Sequence, residues 1–300
     1  MPEIIQCPIN LSTSDLGLLQ ELVGRLKTIP GLLVADASAD PDHNRSVISL
    51  LGGQESLWQA VEAIFEMAER TIAITRHAGE HPRIGAIDVV PFVPWRRVSM
   101  EQCIELARRI GEALAGRFQV PVYLYGEAAW LDSRRDLSNL RKGGYERLRE
   151  EIGTIPERFP DFGPRETHRT LGAVAVGARG PLIAFNVNLK TDSIDIASRI
   201  ARRLRGESGG LNAVKAIGIR LTHRGMTQVA MNMLDFRRST LYQAYELIKL
   251  ECRRFGVEVA GAEIVGLVPL EALVDLAGLV LGIPDLRMEQ VLEYHFIDFS

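Results

Sequence analysis

The sequence predicts an α+β protein made of two halves, each with the order strand-helix-strand-strand-helix-strand. Apolar residues recur at the three- and four-residue spacing of amphipathic helices, and short apolar runs typical of strands lie between them. The same order occurs once in each half of the 300-residue chain. It is the split βαβ order of ferredoxin-like subdomains (βαββαβ). Two such subdomains predict a ligand groove between their sheets.

The first half begins with a short apolar strand, followed by hydroxyl and amide side chains suited to a helix N-cap. Leucines at helical spacing then predict a helix that ends before Pro30. A polar turn over residues 38–44 separates the next two strands, and a second amphipathic helix precedes the fourth. The predicted strands are 3–8, 32–35, 45–51 and 87–93, and the helices are 16–26 and 57–68.

Further elements follow before the halves meet. Ser99 is the predicted N-cap of a helix that extends to about Phe118, and a strand over 121–125 comes next. The charged segment 130–160 is expected to be mostly a solvated excursion, with a short helix near 145–152. A strand of small residues follows over 172–177.

The second half repeats the order without a clear sequence repeat. Its strands are predicted at 182–189, 214–221, 227–234 and 257–265, and its helices at 194–204 and 241–255. A last apolar helix, with Pro269 in its first turn, extends to about residue 281. We therefore expect an N-terminal subdomain over residues 1–179 and a C-terminal subdomain over 180–300.

Composition narrows the functional classes. The net charge of −3 gives no global attraction to nucleic acid or to an anionic membrane. Three widely spaced cysteines without a C-x-x-C pattern argue against a zinc ribbon or disulfide framework and fit a reducing compartment. No signal-peptide pattern is present, and no apolar run approaches about 18 residues. A cytoplasmic protein without nucleic-acid or membrane partners is expected.

The stretch 76–88 holds the densest group of reactive side chains. It contains two of the six histidines together with two arginines and two acids: Arg76, His77, Glu80, His81, Arg83 and Asp88. Polar groups beside a core strand need partners or a substrate to offset desolvation. A solvated loop with a salt bridge explains the composition equally well.

The most literal motif in this stretch is H-x-x-E-H over residues 77–81, the spacing of an inverted zinc-protease site. That site needs a helix, so that both histidines share one face. Gly79 and Pro82 oppose helical geometry, and Arg76 and Arg83 would repel a dication. We expect no metal here.

The sequence gives less support to nucleophilic catalysis or phosphate binding than to acid–base catalysis by histidine. G-x-S-x-G is absent and no cysteine adjoins a histidine in sequence, although a spatial pairing stays open. No phosphate-binding P-loop is present. General acid–base catalysis by histidine, with arginines binding a polyanion, uses every polar residue of the stretch. Glu80 would orient or charge-balance His81.

The stretch has the pattern Arg-His-x-Gly-Glu-His-Pro-Arg-x-Gly-Ala-x-Asp. It closely resembles the signature of the glutamate formimidoyltransferase (formiminotransferase) family. Further segments resemble that family along nearly the whole chain, at 44–45, 120–129, 160–164, 177–179, 182–189, 234–236 and 265–269.

The resemblance implies a folate-dependent one-carbon transferase of histidine degradation. It implies transfer of the formimino group of N-formimidoyl-L-glutamate to N5 of tetrahydrofolate, a co-substrate, with the folate in a tunnel between two α/β subdomains. The products are 5-formimidoyltetrahydrofolate and L-glutamate. The resemblance allows a homodimer. A separate cyclodeaminase is expected downstream, because the chain ends at Ser300 without the cyclodeaminase domain of animal members.

The resemblance also implies roles for individual residues. His81 is the general acid–base group, which takes the proton from the attacking amine and returns one to the departing nitrogen, and His77 is a supporting residue. The folate-binding segment consists of Gly163, Pro164, Arg165, Glu166, Thr167, His168, Arg169, Thr170, Leu171 and Gly172. The candidates for binding substrate are Asn10, Arg45, Arg76, His77, Glu80 and Arg83, of which the arginines suit carboxylates.

Two segments depart from the family pattern. The folate segment is more charged than in animal members, and the first strand keeps Asn10 and Ser12 but lacks the family's acids and glycine. Formyl transfer or 5-formyltetrahydrofolate salvage on the same scaffold therefore stays open. A folate-binding protein without catalysis is the other alternative.

Overall fold

The computed structural model describes residues 3–79 and 82–296. The chain divides into two units, one ending at Gly180 and the other beginning at Pro181. Within the described ranges there are eight α-helices and two sheets, of six and four strands, which confirms the α+β class. None of the helices described is long and apolar enough to cross a membrane.

The six-stranded sheet of the N-terminal unit extends the predicted order. Its strands are β1 (Ile4–Leu11), β2 (Leu32–Asp40), β3 (Arg45–Gly52), β4 (Ile87–Arg96), β5 (Val122–Gly126) and β6 (Val174–Ala178), and its helices are α1 (Leu16–Leu26), α2 (Gln54–Thr71), α3 (Met100–Phe118), α4 (Leu137–Leu140) and α5 (Gly144–Glu151). The spatial order is β2-β3-β1-β4-β6-β5. The first four strands are antiparallel, whereas β6 is parallel to both β4 and β5.

Local sequence explains where these helices begin. Ser99 and Gln102 form a capping box at α3, as the sequence predicts. The N-cap of α1 is Asp15, whose carboxylate accepts from the Leu18 amide, rather than one of the earlier polar residues. Strand β2 extends to Asp40, so residues 38–40 pair with β3 instead of forming the predicted turn. The three long helices and the alternate residues of β1 share one apolar core.

Most charged residues of the segment 130–160 are exposed, as predicted, but several of its apolar residues are buried. Its apolar residues Leu140, Leu148 and Ile152 pack with Tyr123 and Tyr125 of β5 in a second core. Helix α5 confirms the predicted short helix. The segment therefore covers part of the sheet rather than projecting into water.

Two arginines of the same segment instead pair with acidic side chains that are at most 6% exposed. Arg134 pairs with Asp161 at 2.7 Å, with both side chains at most 6% exposed. Arg141 pairs with Asp88, which is 2% exposed. The prediction of a solvated excursion was wrong for these charges because their partners lie far away in sequence.

The C-terminal unit matches its predicted elements closely. Its strands are β7 (Ile183–Leu189), β8 (Val214–Leu221), β9 (Met226–Met233) and β10 (Val259–Val265), and its helices are α6 (Ile194–Leu204), α7 (Leu241–Phe255) and α8 (Leu270–Leu281). The spatial order is β10-β7-β9-β8, with every pair antiparallel. Helices α6 and α7 and the sheet share an apolar core.

Candidate active site

A polar pocket lies at one end of the N-terminal sheet. Because β1 is antiparallel to both β3 and β4, its last residues meet the first residues of those strands. The pocket is lined by Ser12, His43, Asn44, Arg45, His77, Arg83 and Asp88. Three sequence-predicted residues, Arg45, His77 and Arg83, are thus brought together.

Arg83 and His77 form a hydrogen-bonded pair in this pocket. Arg83 Nε donates to His77 Nδ1 at 2.9 Å, so Nδ1 must be the unprotonated acceptor. His77 Nε2 then carries the proton and donates to the Asn44 carbonyl oxygen at 2.8 Å. Burial, followed by the charge of Arg83, lowers the pKa of His77 despite that hydrogen bond. His77 is therefore held as a neutral imidazole with both nitrogens engaged.

The opposite side of Arg83 is closed by Glu146 of α5. Arg83 Nη1 and Nη2 donate to the two carboxylate oxygens at 2.9 and 2.7 Å. Nη2 also donates to the His77 carbonyl oxygen at 3.1 Å. The hydrogen bond from Arg83 lowers the pKa of Glu146. Arg83 thus fastens the backbone at His77 to α5.

The turn between β2 and β3 supports the same segment. Asn44 has a positive φ of 44°, and its Oδ1 accepts from the amide and hydroxyl of Ser14, both at 3.1 Å. Its Nδ2 donates to the Ala78 carbonyl at 2.8 Å. A Cβ at Gly79 would lie 2.5 Å from the His43 carbonyl oxygen. Only glycine permits so close a backbone approach here.

Asp88 organises the floor of the pocket. Its Oδ1 accepts from the Ile84 amide at 2.8 Å, and its Oδ2 accepts from Arg141 Nη2. Burial and the charge of Arg141 lower the pKa of Arg45 to about 10, so Arg45 stays protonated at neutral pH. The sequence alone does not point to Arg141 as a partner of Asp88, because no local pattern links two residues so distant in the chain.

The predicted folate segment ends against the stretch 76–88. Gly172 forms a bridge with Gly85, and the Ala86 amide donates to the Leu171 carbonyl at 2.8 Å. The Ile74 amide also donates to the Thr170 carbonyl, at 2.9 Å. The last residues of the predicted folate segment and the polar stretch are therefore neighbours.

Some side chains of the folate segment contact the protein, whereas others are exposed to solvent. His168 turns inward on its own loop, where its Nδ1 accepts from the Thr170 and Leu171 amides at 3.3 and 3.1 Å. Arg165 stacks on Phe159, with 3.8 Å from the guanidinium carbon to the ring centroid. The remaining charged residues, Glu166 and Arg169, are exposed.

Not every predicted residue lines the pocket. Arg76 is exposed and is absent from the lining among the described residues. Asn10 is half-buried in β1, between Val47 of β3 and Val89 of β4. Glu80 and His81 lie outside the described residues.

The structure bears on two other chemistries. His77 uses both ring nitrogens in hydrogen bonds, so neither is free to ligate zinc. Within the parts of the chain described, no three His, Cys, Asp or Glu residues are grouped as metal ligands. Burial raises the pKa of the Cys103 thiol to about 11 and also raises those of Cys7 and Cys252. Thiols with such pKa values are poor nucleophiles at neutral pH.

The lowered pKa of His77 predicts a pH-dependent stability. Between its lowered pKa and the usual value of 6.5, unfolded His77 binds a proton that folded His77 does not. The free energy of unfolding should therefore fall as the pH drops below about 6.5. Urea denaturation from pH 7.5 to 5 should show a shallower fall for His77→Gln. A pH dependence unchanged from that of the wild type would contradict the neutral assignment, and His295→Gln is the control.

Comparison with known proteins identifies the family of the chain. Residues 4–179 match the family model of the formiminotransferase domain, N-terminal subdomain, and residues 184–285 match that of the formiminotransferase domain. A glutamate formimidoyltransferase of Streptococcus pyogenes serotype M1 is 42% identical over 300 residues, covering 99% of this chain and 100% of the relative.

Two further relatives show how much of each protein the similarity covers. A glutamate formimidoyltransferase of Thermoplasma acidophilum is 38% identical, covering 97% of this chain and 96% of that protein. The formimidoyltransferase-cyclodeaminase of Rattus norvegicus is 38% identical, covering 92% of this chain but 52% of that longer protein. With both family models matched and such identity along nearly its whole length, the chain belongs to the formiminotransferase family.

Proposed function

We infer that the chain is a glutamate formimidoyltransferase. It transfers the formimino group of N-formimidoyl-L-glutamate to N5 of tetrahydrofolate, giving 5-formimidoyltetrahydrofolate and L-glutamate. The observation that carries this inference is the 42% identity that extends over 100% of a relative with that activity in its name. Tetrahydrofolate is the co-substrate, and no step in the proposed mechanism uses a metal.

The proposed general acid–base group is His81. N5 of tetrahydrofolate attacks the formimidoyl carbon, so an N–C bond forms and N5 must lose a proton. The bond from that carbon to the glutamate nitrogen then breaks, and the departing nitrogen must gain a proton. One imidazole that takes the first proton and returns it balances both steps at neutral pH.

The choice of His81 over His77 rests on the contacts of His77. Its Nδ1 accepts from Arg83 and its Nε2 donates to Asn44, so proton transfer through His77 would break an existing hydrogen bond. The supporting role we propose for His77 is to hold the chain that leads to His81. Arg83, two residues after His81, fastens the other side of the same stretch to α5.

The proposed folate contact is the segment 163–172. Its support is the bridge between Gly85 and Gly172, which joins the end of this segment to the stretch that contains His81. We assign the catalytic histidine to an N-terminal subdomain, residues 1–179, and residues 180–300 to the C-terminal subdomain.

The strand orders β2-β3-β1-β4 and β10-β7-β9-β8 support a ferredoxin-like assignment for the βαββαβ part of each subdomain. The groove between the sheets, a homodimer, a cytoplasmic location and a separate cyclodeaminase stay predictions.

The test is an assay of the full chain with N-formimidoyl-L-glutamate and tetrahydrofolate. We expect 5-formimidoyltetrahydrofolate, and a loss of at least ~10²-fold in kcat for His81→Ala. His295→Ala is the control, because residue 295 lies beyond the family match that ends at residue 285. Circular dichroism would establish that both variants are folded.

Three results would contradict the proposal at different levels. Full activity in folded His81→Ala would exclude His81 as the proton carrier. Failure to use the formimino donor, together with turnover of N-formyl-L-glutamate or 5-formyltetrahydrofolate, would favour formyl chemistry instead. Folate binding without turnover of any donor would favour a binding protein.

A further inference from the structure

Arg83 and Arg76, two of the three arginines expected to bind carboxylates, are poorly suited to that role. All three guanidinium nitrogens of Arg83 already donate, one to His77 Nδ1 and two to the carboxylate of Glu146. A substrate carboxylate could bind both Nη atoms in this two-bond geometry only by displacing Glu146. Arg76 is exposed and does not line the pocket in the described residues.

Arg45 has the opposite character. It lines the pocket, and within residues 3–79 and 82–296 its guanidinium forms no hydrogen bond or ion pair. The charges that act on it most are those of Arg141 and Asp88, and Asp40 has a smaller effect. Arg45 is therefore a half-buried cation whose donors are unused in the described protein.

Arg141 is the arginine whose charge acts on Arg45. Its Nη2 donates to Asp88 Oδ2, but its Nε is buried and has no hydrogen-bond partner in the described part of the chain. Asp88 also accepts from the Ile84 amide, so its carboxylate is already shared. Two guanidinium charges thus act on one carboxylate, that of Asp88, and a buried donor without an acceptor is unfavourable.

We propose that Arg45 is the carboxylate-binding group of the pocket, with Arg141, paired to Asp88, supplying a second positive charge, and that the site takes a carboxylate of a glutamyl group. A second carboxylate would balance the second guanidinium and accept from the unused donors of Arg45. Guanidinium groups suit this role because their planar donors match the two oxygens of a carboxylate. The identity of the ligand rests on the proposed function, since both N-formimidoyl-L-glutamate and the folate tail contain glutamyl carboxylates.

The decisive variant is Arg45→Gln, because Arg45 has no hydrogen bond in the described protein whose loss would impair folding. We expect the KM for N-formimidoyl-L-glutamate to rise about 10–100-fold, with a smaller change in kcat, when this charge-assisted contact is lost. Arg45→Lys should recover part of the loss, because it restores the charge but not the fork. Arg141→Gln should act in the same direction.

The control is Arg147→Gln, whose side chain is 59% exposed and belongs to the same segment as Arg141. A rise confined to the KM for tetrahydrofolate would assign the site to the folate tail. Unchanged KM values for both substrates in folded Arg45→Gln would overturn the site.

Calorimetric titration of the full chain with glutarate tests the site by binding alone, independently of catalysis. Wild type and Arg147→Gln should bind this dicarboxylate, and Arg45→Gln should bind it at least about tenfold more weakly. A wild-type protein that binds glutarate in this way but does not transfer the formimino group would contradict the proposed function and leave the site standing. Equal glutarate affinity in wild type and Arg45→Gln would contradict the site alone.

Discussion

Replacing Asp88 by alanine is expected to destabilise the protein by about 3–5 kcal/mol, the cost of removing one partner from a buried ion pair. Asp88 is 2% exposed and accepts from Arg141 and from the Ile84 amide. Without it, the guanidinium of Arg141 and that amide lose their acceptor. Urea denaturation at neutral pH measures the change in the free energy of unfolding.

Two further variants distinguish the stability lost with the buried ion pair from the stability lost by truncating any acidic side chain. Glu127→Ala breaks a surface pair with Arg135, both side chains being more than 40% exposed, and should cost at most about 1 kcal/mol. Combining Asp88→Ala with Arg141→Met removes the unpaired charge, so the double variant should be more stable than Asp88→Ala alone. An Asp88→Ala protein as stable as Glu127→Ala would contradict the importance of the pair.

The substitution Gly85→Ala is expected to destabilise the protein by about 3 kcal/mol or more. The added methyl group would collide with backbone atoms, which cannot move without displacing the strand or segment to which they belong. A Cβ at Gly85 would lie 1.8 Å from the Ala173 carbonyl oxygen and 2.6 Å from that of Leu171. The added methyl group would separate the stretch 82–88 from the end of the folate segment. Formimino transfer should fall as well, even where the variant stays folded.

Gly24→Ala is the matched control for this substitution. Gly24 lies within α1, where an added Cβ meets nothing within 4 Å. Alanine there should raise the stability by about 0.5–1 kcal/mol, because it favours the helix over the unfolded chain. Thermal and urea denaturation would compare the two variants. A Gly85→Ala protein with wild-type stability would show that the contact between the two segments tolerates a side chain.

Sequence periodicity predicted most elements because it reports directly which face of a helix or strand is apolar. Helices α6 and α7 begin and end at the predicted residues, and Ser99 caps α3. The errors arose where long-range pairing decides the outcome. Residues 38–40 belong to β2 because β3 supplies their partners, and Arg134 is buried because Asp161 pairs with it.

The sequence by itself determined the α+β class, the family and, through the signature at 76–88, the residues among which catalysis was sought. Those features depend on local periodicity or on short sequence motifs. Tertiary structure alone decided which arginines are already paired. Arg83 is occupied by Glu146 and Arg141 reaches Asp88, whereas Arg45 keeps its donors unused within the described residues. The physical reason is that each guanidinium has a fixed number of N–H donors. The fold decides which acceptors reach them, because those acceptors lie far away in sequence.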